Sequence, residues 1–111
     1  MTRLEARLWL AQRATAVVLA ACVAVHLVTI VLAVRGGLSA GEILARTRGS
    51  IAVAAFYGVF VIAAAIHGAI GLRTIAREWL RWRRGVGVAA VVAALALAAF
   101  GLRAVAAVVM A

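Results

Sequence analysis

The sequence predicts an all-α integral membrane protein: three transmembrane helices led in by a short N-terminal amphipathic helix, forming one membrane-anchor domain over residues 1–111. Three observations predict it. Of the 111 residues, 68% are hydrophobic, which leaves too little polar surface for a water-soluble domain of this size. The apolar residues fall in three runs, each long enough to cross a hydrocarbon layer of about 30 Å. The charges collect between those runs. They comprise twelve arginines against Glu5, Glu42 and Glu78, a formal charge of +9, with no lysine, aspartate or proline.

Taken in order, residues 1–13 interleave Leu4, Leu8 and Trp9 with Arg3, Glu5, Arg7 and Arg13, the pattern of a helix lying at the membrane surface. The first span is expected at about residues 14–34, ending at Arg35-Gly36-Gly37. In the loop that follows, Ser39 is a suitable N-cap for a short interfacial turn through Glu42 and Leu44. The second span covers about residues 50–72, and its helix is expected to run on beyond the bilayer before turning at Gly85 and Gly87. The third covers about residues 86–108 and is interrupted only by Arg103, near enough to its end to reach the interface.

Charge sets the expected orientation. The N-terminal segment and the second loop hold eight of the arginines, the first loop and C-terminal region four. The richer side should be cytoplasmic, with the N-terminus inside and the C-terminus outside, as in a bacterial cytoplasmic membrane. Because the arginines sit between apolar runs and form no single basic face, nucleic acid is not an expected partner; anionic lipid is. Cys22 stands alone, so neither an intrachain disulfide nor a thiolate metal cluster is available. The first run is too long for a signal-peptide core, and the N-terminus is expected to be retained. The remaining residues leave no room for a soluble catalytic domain, so chemistry on a water-soluble substrate is expected on another subunit.

His26 and His67 are the only histidines, and both fall inside spans. Ionisable groups at that depth are costly and mark sites. One reading is an imidazole bonded to a neighbouring helix or facing a small water cavity. The other is an axial ligand to a haem, favoured because no acidic residue accompanies the histidines at depth, as a proton relay would want. Counted from the span ends, His26 lies about 18 Å and His67 about 8 Å from the cytoplasmic side, an offset of about 10 Å that argues against one shared iron. Gly68 and Gly71 flank His67 and would let a macrocycle or a second helix approach. Arg73 lies about one and a half turns beyond it, placed for haem propionates or lipid headgroups.

The stretch from Trp9 to Trp79 resembles the cytochrome b membrane anchor subunits of succinate dehydrogenase and fumarate reductase. Gln12-Arg13-Ala14-Thr15-Ala16-Val17 resembles the Arg-Ala-Thr-Ala opening of the small anchor subunit. His67-x-x-x-Gly71 followed by Glu78-Trp79 resembles its His-x-x-x-Gly then Asp-Tyr, with matching spacing. His26, fourteen residues after Gln12, resembles a ligand of the diheme members, so the chain looks like half of a diheme anchor.

The resemblance implies haem b, two in number, with His67 and His26 as axial ligands and each pair completed by a second anchor chain or another copy of this one. It implies a flavoprotein subunit, an iron–sulfur subunit on the cytoplasmic face, and membrane quinone near Gln12, Arg13 and Trp79. The chain departs from the family in having Trp79 for tyrosine and Glu78 for aspartate, and an indole N–H donates a hydrogen bond but accepts none. Two other functions fit the same composition. One is a haem-free structural anchor; the other is a small transporter, disfavoured because all three glutamates lie outside the spans.

Overall fold

In a computed structural model describing all 111 residues, the chain forms four helices: α1 (Arg3–Gly36), α2 (Ala40–Thr47), α3 (Ile51–Glu78) and α4 (Val86–Val109). Three of them, α1, α3 and α4, are long and apolar enough to cross a membrane.

The N-terminal segment corrects the sequence reading. There is no separate amphipathic helix: residues 3–13 and the first span are one helix of 34 residues, about 51 Å long. Polarity changes near Arg13, but nothing there breaks a backbone. No glycine or proline occurs before Gly36, and alanine, leucine, arginine and glutamine all favour helix. The helix starts at a capping box, in which the Thr2 hydroxyl accepts from the Glu5 amide at 3.1 Å and the Thr2 amide donates to the Glu5 carboxylate at 2.9 Å. Those bonds from Thr2, backbone first and side chain second, hold the Glu5 carboxyl below its ordinary range, with the Arg77 charge adding to the effect. The Arg77 guanidinium lies 4.0 Å from Glu5.

Gly37 ends α1 at φ +110°, and the Glu42 carboxylate occupies the space its side chain would need. Only glycine meets both conditions. Ser39 caps α2 as expected, through a second capping box with Glu42. The loop is then tied to the far end of the chain. The Thr47 hydroxyl donates to the Val108 carbonyl at 2.6 Å, and the Gly49 amide donates to the Val109 carbonyl at 2.7 Å. The α1–α3 connection and the C-terminus therefore share one end of the molecule.

At the other end, α3 runs to Glu78, six residues past the expected span, and the chain reverses through Trp79–Gly85. Arg81 takes a positive φ of 53° and Gly85 one of 73°. Gly87 is already inside α4, so the turn uses Gly85 and not both glycines.

The helices are ordered α1–α3–α4, with α3 in the middle and little direct contact between α1 and α4. Only Cys22, Ala63, Ala65, Ala69 and Val86 are buried, and large apolar side chains such as Leu27, Val59, Leu95 and Phe100 point outward. A water-soluble fold cannot be held this way; the exterior requires lipid. What packs the helices is small side chains. At the α3–α4 crossing, a Cβ on Gly101 would overlap the Val61 side chain, so the two backbones are as close there as glycine permits.

Candidate functional site in the α1–α3 seam

Apart from Arg103 on α4, the polar side chains of the spans gather along the α1–α3 seam. Along α1, Gln12, Thr15, Leu19, Cys22 and His26 recur at intervals of three and four, all buried or half-buried against α3. Four contacts fix a single antiparallel register: Glu5 with Arg77, Gln12 with Gly71, Thr15 with His67, and His26 with Tyr57.

That register sets the depths of the two histidines. His67 lies level with Thr15 and His26 level with Tyr57. Residues 57 and 67 of α3 are separated by about 15 Å along the axis. This exceeds the offset of about 10 Å counted from span ends, because the register of the packed helices, and not the end of each apolar run, decides the levels. No single iron is reachable by both rings.

Each histidine is held by a hydroxyl from the opposite helix. The Thr15 Oγ1 lies 3.2 Å from His67 Nδ1 and donates its own proton to the Ala11 carbonyl at 2.7 Å, with the Gln12 carbonyl at 3.1 Å sharing it. At the other level, His26 Nδ1 lies 2.8 Å from the Tyr57 hydroxyl. That hydroxyl lies 3.4 Å from Thr29 Oγ1, which donates to the His26 carbonyl at 2.7 Å. Aromatic edges enclose the His26 ring, with the Tyr57 and Phe60 centroids 5.5 and 5.8 Å away and both nearly perpendicular.

Gly68 and Gly71 face α4 and α1 respectively, and a Cβ at either would make only ordinary contact. A Cβ on Gly68 would stand 3.6 Å from Leu97 of α4, and one on Gly71 would stand 3.6 Å from the Gln12 amide nitrogen. Beyond Gly71, α1 and α3 diverge around an open cleft of about 1110 Å³, lined among others by Trp9, Gln12, Arg13, Arg73 and Arg77. The Arg13 guanidinium sits over the Trp9 ring, 5.1 Å from its centroid. The buried Gln12 Oε1 has no hydrogen-bond partner, an acceptor left open beside the cleft. Trp79 does not line this cleft; it is 81% exposed on the turn after α3.

The seam thus brings together Gln12, His26, His67 and Gly71, with Arg13 and Arg73 at the cleft beyond, and leaves Trp79 apart. Sequence reasoning missed the partners Thr15, Tyr57 and Phe60. One signal was available: Phe56, Tyr57 and Phe60 put the chain's one tyrosine in an aromatic cluster on a single helix face.

These features define a class of protein: a small multi-pass membrane subunit in which lipid-facing helices enclose a polar seam carrying two imidazoles. The chain belongs to the succinate dehydrogenase/fumarate reductase transmembrane subunit family, whose model matches residues 1–108. The match bears out the resemblance read from the sequence, and it gives the chain a membrane-anchoring role in that class of complex. No curated protein and no solved structure matches it.

Proposed function

We propose that this chain is a haem b-carrying anchor that conducts electrons between an iron–sulfur subunit and membrane quinone. The observation that carries the reading is the pair of seam histidines at levels about 15 Å apart, each with Nδ1 engaged by a hydroxyl of the facing helix. An imidazole so held offers Nε2 to a metal, the arrangement that orients histidine ligands. The residues therefore fit two b haems, one of which His67 would hold and the other His26. Bound there, haem supplies a one-electron redox centre whose potential follows from its ligands and surroundings.

The chain's own residues do the holding. Each histidine would give one ligand at its level, and another anchor chain or a second copy of this one would give the other. Arg73 projects from the α3 end beyond His67, where a guanidinium pairs with propionate carboxylates. Gly68 and Gly71 put no side chain beside His67, which suits the close approach of a macrocycle. Arg13 offers a donor cation to a quinone carbonyl in the cleft, and Gln12 offers its open acceptor to the hydroxyl of the reduced quinol, with Trp79 further out at the interface. A flavoprotein subunit handles the dicarboxylate, and the iron–sulfur subunit docks on the arginine-rich end.

That end carries the N-terminus and the α3–α4 turn, and its surplus of arginine supports a cytoplasmic location for it in a bacterial inner membrane. Leu38 and Leu80, both exposed, stand at opposite ends of the molecule. In intact cells, a membrane-impermeant maleimide should label Leu38→Cys and spare Leu80→Cys until the membrane is opened; the reverse pattern would invert the orientation. The function itself is tested by reducing the purified complex with dithionite. Absorption bands of b-type haem are expected, and their absence would reject the reading.

A further inference from the structure

We propose that Thr15 and Tyr57 are positioning residues that lock His67 and His26 in one tautomer and set the potentials of the two haems independently. This rests on the haem reading given above and adds to it the residues that orient each ligand.

The hydroxyl protons decide the tautomers. A threonine hydroxyl has one proton. That of Thr15 goes to the Ala11 carbonyl at 2.7 Å, shared with Gln12 at 3.1 Å, so toward His67 the oxygen has only lone pairs. His67 Nδ1, 3.2 Å away, must therefore be the donor, and its remaining lone pair is on Nε2. The same logic runs through the other level. The Thr29 proton goes to the His26 carbonyl at 2.7 Å, which leaves Thr29 Oγ1 able to accept the Tyr57 proton across 3.4 Å. In the arrangement proposed, Tyr57 gives its proton to Thr29 and accepts from His26 Nδ1 at 2.8 Å, which again leaves the lone pair on Nε2.

The two arrangements are crossed. α1 provides Thr15 and His26; α3 provides His67 and Tyr57. Each helix thus carries one ligand and orients the other, and the pairs share no atom and no intermediate hydrogen bond. Fixed donation from Nδ1 also pulls electron density toward Nε2 and makes it a stronger ligand, which favours ferric over ferrous iron. Removing the acceptor should therefore raise the potential of the haem it serves and leave the other alone.

The test is a redox titration of the purified complex, followed in the b-type absorption bands, for Thr15→Val, Thr15→Ser and Tyr57→Phe. Thr15→Val should move one component to more positive potential, and Tyr57→Phe the other. Thr15→Ser, which keeps the hydroxyl, should restore the unmodified value. If Thr15→Val loses a haem while Thr15→Ser retains it, positioning is equally supported. Unchanged potentials in Thr15→Val and Tyr57→Phe would overturn the proposal, as would a variant that shifts both components together, or loss of haem in both Thr15 variants. Those failures leave the haem reading intact, whereas a complex without b-type bands removes both.

Discussion

Replacing His67 with alanine is expected to remove one haem from the complex and to lower the quinone-coupled rate by about tenfold or more. Loss of a group that merely orients a metal ligand costs about 10–100-fold, so loss of the ligand itself sets at least that scale. Oxidation or reduction of the dicarboxylate with a water-soluble dye should persist, because the proposed function assigns that reaction to another subunit. The fold should survive too. His67 is half-buried, and its partner Thr15 keeps its bond to the Ala11 carbonyl, so no buried donor is stranded. Comparing quinone-coupled and dye-coupled rates separates the outcomes: equal falls in both would mean a general assembly defect and not a broken electron path.

The second large effect is on packing. Gly101→Leu should destabilise the helix bundle by about 1–3 kcal/mol or more, the usual cost of forcing extra carbons into a filled contact. The first added atom already overlaps the Val61 side chain, and it would lie 3.2 Å from Val61 Cβ, so rotating the valine does not clear it. α4 must then move away from α3. The displacement should register in thermal unfolding of the detergent-solubilised complex. Val61→Ala in the same chain should recover part of the loss, since the pair is in direct contact and its effects do not add. An unaltered melting temperature in Gly101→Leu would show that the helices are not packed as closely as described.

Much of the fold was legible because membrane crossing depends on local properties. The length of an apolar run and the position of its flanking arginines are written along the chain, and the helices at residues 51–78 and 86–109 follow them. The Ser39 cap is equally local, set by one hydroxyl and Glu42 three residues on. The N-terminal segment is less legible, because a change of polarity near Arg13 is not a backbone boundary and the residues from Arg3 onward contain nothing that stops a helix before Gly36.

The candidate site was legible only in its residue types. An intramembrane histidine marks itself by its cost, which is why His26 and His67 stand out in the sequence. What each one touches depends on how α1 registers against α3, and no local pattern encodes that. Thr15 lies within the quoted Arg13-Ala14-Thr15-Ala16 motif, yet only packing shows that it faces His67. Tyr57 likewise acquires its meaning from the helix opposite. Gly68 and Gly71 were visible as small residues, but whether the space beside them goes to a helix or to a cofactor is a tertiary fact. Trp79 follows the family spacing and still lies outside the cleft lining, because the chain turns away immediately after Glu78.

The central claim is that the seam carries two haems at two depths, each with its own histidine. Its most direct measurement is the haem-to-flavin ratio of the purified complex, by pyridine haemochrome assay, for the unmodified chain, His67→Ala, His26→Ala and the double variant. Each single variant should lose one haem, a different spectral component in each case, and the double variant should lose both. Unchanged haem content in both single variants would contradict the claim, and loss of the same component from both would show that the two histidines serve one iron.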